Sequence, residues 1–467
     1  MKDIIFINPP LTMHERYGKL SGAGNSMASL GLCCLAAVCR QNEFSVEIIE
    51  ASSNFLTHEA IAEKIIKDPP RFVGITATTS AIHSAAKLAT IIKKQNTGII
   101  TLLGGAHLTA IPKKTMEYFD CFDIGIIGEG EETIVDVLKN ISNINQIHGI
   151  IFRDPQGNVR QNHERPFIAN LDSLPLPAWD MLPQFPKNYN PPAFRYKNLP
   201  AAYLVTSRGC PMTCTFCDRS VFGNKHRFFS ASYVYTAMKH LRENFNIREI
   251  LFEDDSFTAN RPRLIELCQM LIDQPLGISW SCLGRVDRID KESLLLMKKA
   301  GCWQIGFGIE SGNERILGLM EKRTKPQQIK QALALTKKCG IKTKGFFIIG
   351  FPTEDLASIK CSIDFAKKLD LNDITVSSFT PFPGSEIYET ARLYGDFVDD
   401  WGKMNLLEPV FVPKDLSKKD LIVYSKKFLQ NFYFRPRVVA DYCGRMVKNP
   451  AAAGKMMRGF FSFIANM

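Results

Sequence analysis

The chain has 467 residues, 45% of them hydrophobic, with 58 Lys and Arg against 47 Asp and Glu for a formal net charge of +11. That length exceeds one ordinary core and predicts two or three domains. No uninterrupted apolar run approaches the ~20 residues of a membrane-spanning helix, and no dense basic run with interleaved aromatics occurs, which excludes an integral membrane helix and argues against a nucleic-acid partner.

Residues 1–144 alternate short β runs with helical stretches. DIIFINPP reads as a first strand, GLCCLAAVCRQ as a helix, FSVEIIEA and FVGITATTS as the next strands, then the helical AIHSAAKLATIIKKQ. GIITLLGGAH gives a fourth strand and FDIGIIGEGEETIVDVLKNI a fifth strand and helix. Strict alternation predicts an α/β fold with a doubly wound, Rossmann-like parallel sheet. Such sheets take ligands at the carboxyl ends of their strands, where Asn8, Thr76, Thr78, Gly104, Gly105, Gly128 and Gly130 fall. Residues 145–196 read as a hairpin with a Pro-Gln-Gly-Asn turn, followed by a proline-rich arm that connects and adds nothing to a core. Residues 197–395 resume the alternation with six strands, which suits a partial (β/α)6 barrel with its chemistry at the strand ends. Residues 396–467 have helical periodicity and a basic, aromatic tail.

The most informative motif is Cys210, Cys214 and Cys217, spaced Cys-x3-Cys-x2-Cys on a loop directly after the first strand of the second half. Three thiolates that close together can hold three irons of a 4Fe–4S cluster and leave the fourth iron without a protein ligand; a closed cluster would want four cysteines. A structural zinc site would want a second ligand pair at finger-like spacing, and none follows. An open iron suits chelation by the amino and carboxylate groups of S-adenosylmethionine. The alternative is a chance cluster of buried thiols. The other ten cysteines are scattered, Cys33, Cys34 and Cys39 reading as helix core, so no second cluster is expected. The N-terminal apolar residues 4–7 are too few for a signal core, and an odd count of thirteen cysteines fits a reducing, cytoplasmic setting.

Candidate groups for the cosubstrate follow successive strands: Glu253, Asp254 and Asp255 in FEDDSF, Arg285 in GRVD, Glu310 and Ser311 in GIESG, and Gly350, Phe351 and Pro352 in IIGFPTE. An acid suits the ammonium or the ribose diol, Arg285 the carboxylate, and backbone near Gly350 the adenine. The alternative is that these charges cap helices or pair at the barrel rim.

The cysteine triplet, with Phe216 before its last member, resembles the radical S-adenosylmethionine superfamily. FEDDSF, GRVD, GFGIESG, FFIIGFPTE and TPFPGSEIYE look like runs of its members that carry an N-terminal cobalamin-binding domain, over residues 1–395. Cobalamin-binding domains in general show Asp-x-His-x-x-Gly, then Ser-x-Leu, then Gly-Gly. Here Gly31, Thr76-Ala77-Thr78 and Gly104-Gly105 stand at matching intervals, with 44 and 25 residues between them. The alternative is a plain nucleotide-type sheet whose glycines only make tight turns. On this alignment Ser26 and Ala28 occupy the Asp and His positions, and no Asp-x-His exists in the chain. The resemblance therefore implies cobalamin without a protein imidazole on cobalt; His14, His83 and His107 are neighbours to check. It implies a methyltransferase acting on an unactivated carbon through a 5′-deoxyadenosyl radical and methylcobalamin, fed by a low-potential flavodoxin or ferredoxin-type donor. A radical cyclase is the alternative, and a cobalamin sensor or carrier module a weaker one. The tail residues 434–467 carry six Lys or Arg, interleaved with Met and Phe. They read either as a helix that packs on the barrel or as a peripheral membrane contact, the latter favouring an apolar or lipid-like substrate.

Overall fold

The structure, a computed structural model, describes residues 2–18, 24, 26–192, 195–448 and 454. Its N-terminal sheet has seven strands in the order β2-β1-β3-β4-β5-β6-β7: β1 Ile4–Asn8, β2 Val46–Glu50, β3 Phe72–Thr76, β4 Ile100–Gly104, β5 Ile124–Ile126, β6 Ile150–Arg153 and β7 Val159–Gln161. The first five are parallel and the last two antiparallel. Ile4 to Ile7 are all buried because helices cover both faces. Ile4 and Phe6 pack with the helix Leu30–Gln41, and Ile5 and Ile7 with the helices His58–Lys67 and Ile82–Gln95. The expected hairpin is present, and it pairs onto β5 as the edge of this sheet.

The proline-rich arm departs from expectation. Trp179, Leu171, Ala178 and Tyr196 are each 2% exposed or less and belong to the core. Proline denies the arm a regular ladder, yet its apolar side chains still have water to escape, and short 3₁₀ turns at Leu171–Ser173 and Trp179–Met181 deliver them. The arm also holds the loop before the first long helix: Ser26 bridges to Asn190, and its hydroxyl donates to the Asn188 carbonyl at 2.7 Å.

The second sheet is parallel and six-stranded, in the order β15-β14-β13-β12-β11-β8: β8 Ala201–Leu204, β11 Glu249–Phe252, β12 Ser279–Gly284, β13 Cys302–Glu310, β14 Lys342–Ile349 and β15 Asp373–Ser378. This is the expected curled half-barrel. A two-stranded ribbon, β9 Ser207–Arg208 with β10 Arg227–Phe228, brackets the loop that carries the cysteine triplet. One hydrophobic cluster runs from Phe6 and Leu102 through Trp179 to Phe252 and Phe347, so the two sheets share a core.

The C-terminal region is not wholly helical. Gly395–Phe397 (β16) pairs antiparallel with Phe411–Pro413 (β17). Helix Lys418–Tyr433 then packs on the barrel, its buried Phe428 ring 5.0 Å from Phe347, and helix Pro436–Lys448 buries Val438 and Tyr442. Two cations of the tail are consumed within the fold: Arg435 donates to the Lys367 carbonyl at 2.9 Å, and Arg437 pairs with Asp370 at 2.6 Å. The Met- and Phe-rich stretch read as a membrane contact lies outside the described residues, Gly454 excepted. Among the described residues no helix is long and apolar enough to cross a membrane.

Candidate functional site

A cavity of about 510 Å³ lies where the carboxyl ends of the first sheet face the barrel. Asn8, Thr76, Thr78, Gly104 and Gly105 all line it, as do Ala28, Gly31, Gly128 and Gly130. The barrel side supplies Leu204, Thr206 and Arg208. Asn8 is positioned by Glu50, buried at the end of β2, which accepts from the Asn8 amide at 2.8 Å and from the Ser29 backbone at 2.6 Å. Burial pushes the Glu50 carboxyl up. Gly105 has φ +102°, and a Cβ there would stand 2.6 Å from the Ala77 carbonyl, so this corner admits only glycine. An added Cβ at Gly31 or Gly104 meets nothing within 4 Å. These glycines keep space clear, as a slot for a large flat cofactor requires. Among the described lining residues none is a histidine, and Ala28 is on the wall. His107 is buried against Thr79 at 3.3 Å and Trp401 at 4.6 Å, and desolvation lowers its imidazole to about 4. His83 sits among Tyr118, Phe119 and Trp401. The side chain of His14 is outside the described set. The residues fit cobalamin held without a protein imidazole.

The two halves are tied at this cavity by a buried ion network. Arg208 meets Glu129 at 2.9 Å and Glu131 at 2.5 Å, and Arg227 meets Glu129 at 2.8 Å, every side chain 7% exposed or less. β9 and β10 place the two arginines opposite each other. Such a network is stable only when each charge is paired, and removing one partner costs about 3–5 kcal/mol. Arg208 stands two residues before Cys210, so the wall of the cavity and the start of the cysteine loop are one piece.

Gly209 turns the chain into that loop with φ +82°; a Cβ there would lie 2.4 Å from the Lys225 carbonyl. The loop rests on the segment after β13: the Thr215 backbone N–H donates to the Met320 carbonyl at 3.2 Å, and its hydroxyl to Leu319 at 3.2 Å. Burial first, then Asp255 and the nearby Cys214 and Cys210, disfavour a thiolate at Cys217. Among the described residues the three sulfurs are not drawn into ligand spacing. Their proximity on a loop held at both ends, and the donor set of three soft thiolates, fit the expected cluster.

Beside Cys214 lies a cation that sequence reading missed. Lys322, buried, pairs with Glu310 at 2.7 Å and sits 5.9 Å from the Phe216 ring. Lys322 and Arg285 both favour the Cys214 thiolate, against the burial that pushes this thiol up. Glu310 carries φ +63°, and its carboxylate comes within 2.4 Å of where a Cβ on Gly308 would be. Arg285 is held by Asp287 at 2.9 Å and also donates to the Lys322 carbonyl at 3.3 Å. Phe216, Glu310 and Arg285 are therefore gathered around Cys214. Other expected groups make contacts to neighbouring protein groups, though the buried Asp254 Oδ2 has no partner among the described residues. Asp254 is buried beneath the loop's lead-in, accepting from the Thr206 N–H, Thr206 Oγ1 and Ser207 Oγ at 2.9, 3.0 and 2.5 Å. Ser311, also buried, meets the Ser362 hydroxyl at 3.0 Å. Glu253 pairs with Arg195 of the arm at 2.7 Å. Gly350 has φ +81° and donates to the buried carboxyl of Glu354 at 2.5 Å.

Residues 20–138 match the B12 binding domain and residues 204–366 the Radical SAM superfamily. The chain is 36% identical over 421 residues to an uncharacterized methyltransferase of Pyrococcus horikoshii, covering 89% of this chain and 90% of that one. It is 30% identical to the anaerobic magnesium-protoporphyrin IX monomethyl ester cyclase of Rubrivivax gelatinosus, over 81% of this chain and 68% of that one. In fold it is similar to the cobalamin-dependent radical enzyme OxsB, solved with aqua-cobalamin and S-adenosylmethionine, at TM-score 0.75 and 19% identity over 99% of this chain and 72% of that one. It is similar also to the methyltransferase TsrM of Kitasatospora setae, at TM-score 0.71 and 15% identity over 94% and 90%. With both halves matched by family models and a relative 36% identical over most of both chains, the chain belongs to the cobalamin-binding radical S-adenosylmethionine enzymes.

Proposed function

We propose that the chain is a methyltransferase that places a methyl group on an unactivated carbon of a small, largely apolar molecule. The observation that carries this is the shared cavity: the groups fitted to cobalamin and the first barrel strand line one space, so a methyl donor there faces the barrel mouth. The relative from Pyrococcus horikoshii, named a methyltransferase, supports it. When bound, S-adenosylmethionine on the cluster supplies hydrogen abstraction and cobalamin supplies the methyl group. The protein's part is position and exclusion of water. Cys210, Cys214 and Cys217 would hold the cluster, with a low-potential flavodoxin or ferredoxin-type donor as the source of electrons. Lys322 and Arg285 balance the negative charge gathered there, and Glu310, oriented by its pairing with Lys322, would meet the cosubstrate's ammonium or diol. On the inner wall, Phe346 and Leu283 meet over Gly306, where a Cβ would lie 2.9 and 3.0 Å from them. This apolar surface suits a hydrocarbon part of the substrate.

The second reading is a cyclase, favoured by the similarity to the Rubrivivax gelatinosus enzyme. Anaerobic incubation of the reconstituted protein with methyl-labelled S-adenosylmethionine and a cell extract tests the choice. A labelled, heat-stable small product is expected; consumption of an extract component with no label in the product would favour cyclisation.

A further inference from the structure

The first barrel strand sends alternate side chains to opposite faces. Ala202 and Leu204 of β8 belong to the large core under the helices, as do Ile250 and Phe252 of β11 beside them. Ala201, Tyr203 and Leu251 form a separate small cluster on the inner face. Met27, from the loop before helix Leu30–Gln41, packs on that cluster and also lines the cavity between the two halves. Tyr203 therefore stands behind the cavity wall, inside the barrel and one residue from the carboxyl end of its strand.

The Tyr203 side chain is buried, and its hydroxyl has no hydrogen-bond partner among the described residues. An unpaired buried hydroxyl is costly, and one retained at the edge of a site marks a place for a ligand atom to complete. Burial pushes the phenol up, so at neutral pH it is a donor. The charged side chains that act on it most are Arg195 and Glu253, with Tyr17 and Arg16 after them. Arg195 is fixed to Glu253 by one bond, Nη2 to Oε1 at 2.7 Å. Arg16 lies over the Tyr17 ring at 5.2 Å and lines the cavity. Glu15, beside Arg16 in sequence, accepts instead from the Thr12 backbone at 2.8 Å. Two guanidinium groups against the single carboxylate of Glu253 leave this corner one positive charge in surplus, next to an unused phenol donor.

We propose that the methyl acceptor is a carboxylic acid, its carboxylate received at the barrel mouth by the Tyr203 hydroxyl together with Arg195 and Arg16. The inference rests on the methyltransferase reading and names its substrate class. A carboxylate is a monoanion and matches the one surplus charge. It accepts from a phenol and a guanidinium at the strength of charge-assisted bonds. The apolar wall at Leu283 and Phe346 then takes the hydrocarbon body, so the acid end decides which carbon is presented to the cosubstrate.

The test starts from the labelled product of the anaerobic extract incubation. Acidic methanol should convert it to a methyl ester, seen by mass spectrometry. A labelled product that forms no ester, or that alkaline phosphatase alters, overturns the inference and leaves methyl transfer intact. No labelled product at all overturns the methyl-transfer reading itself. The acceptor purified by following the label then tests the residues. Tyr203→Phe keeps the ring and should raise KM for the acid at least about tenfold, the loss of a hydrogen bond to a charged group. For the acceptor's methyl ester, parent and variant should differ by less than about threefold, because a neutral carbonyl gains less from the same donor. Arg16→Gln, at an exposed position, should raise KM for the acid in the same direction and serves if Tyr203→Phe does not fold. Iron and cobalamin content verify that each variant is loaded. An unchanged KM for the acid in both variants, or an equal rise for acid and ester in Tyr203→Phe, overturns the inference.

Discussion

The two cofactor regions are built on opposite principles. The strand ends of the first sheet are a prepared space: glycines and small hydroxyls around a cavity, with one buried carboxylate, Glu50, holding the rim residue Asn8 from behind. The strand ends of the barrel are a web of charges already engaged with one another: Lys322 on Glu310, Arg285 on Asp287, Arg195 on Glu253. The first region recognises by vacancy and the second by balanced charge. The difference shows where each is vulnerable. Filling harms the first, and removal of one partner harms the second.

Breaking the barrel side should have the largest effect. Cys210→Ala, Cys214→Ala or Cys217→Ala should each abolish reconstituted iron, about four atoms per chain, and 5′-deoxyadenosine formation, since each thiolate holds one iron. Iron assay and chromatography check this, with cobalamin absorbance at the other site retained. Full iron and turnover in any one variant would refute the cluster assignment.

The seam between the regions comes next. Arg208→Met leaves Glu129 and Glu131 buried with one cation fewer, and should destabilise the protein by about 3–5 kcal/mol. Denaturant unfolding measures it. Replacing Glu129, Glu131, Arg208 and Arg227 together by apolar residues of similar volume should cost less than the single change.

These two tests also mark what was legible in the sequence. The strand ends were, because an apolar run that stops at a glycine or hydroxyl has one meaning in an alternating chain, and Asn8, Thr76, Thr78, Gly104 and Gly105 all reach the cavity. The cysteine loop was legible from spacing alone. Partnerships between charges were not. Arg208 and Glu129 are 79 residues apart, Arg227 and Glu129 98, and no periodicity links such pairs. Asp254 follows a barrel strand as expected, and the sequence could not show that its Oδ1 serves Thr206 and Ser207 while its Oδ2 is left without a partner among the described residues. The arm misled because proline abolishes regular structure without abolishing burial, and Trp179 is core. The β16–β17 pair escaped notice because strands of three residues carry no measurable alternation.

A smaller effect concerns pH. Glu354 lies beneath Gly350, and burial raises its carboxyl from 4.5 to about 8. The folded state therefore holds a proton that the unfolded state releases. The stability from the neutral form is whole below about pH 4.5 and is lost as pH rises through about 8. Glu354→Gln should flatten unfolding free energy across that window relative to the parent. An unchanged slope would show that Glu354 is ionised in the fold.

The mildest test is spectroscopic. With Ala28 on the cavity wall and no histidine among its described lining residues, the cob(II)alamin form should show no nitrogen splitting in its electron paramagnetic resonance spectrum. An imidazole pattern that persists with a cofactor lacking its own base would contradict the cavity account.

The central claim is that one seam joins radical chemistry to methyl transfer. Its most direct measurement is the ratio of 5′-deoxyadenosine to S-adenosylhomocysteine formed per product under anaerobic turnover with the natural acceptor. A methyltransferase of this design consumes one S-adenosylmethionine for the hydrogen and a second to restore the methyl group, so the two should form in equal amounts, each matching product. Formation of 5′-deoxyadenosine and product without S-adenosylhomocysteine would contradict methyl transfer, and formation of neither would contradict the assignment of the seam.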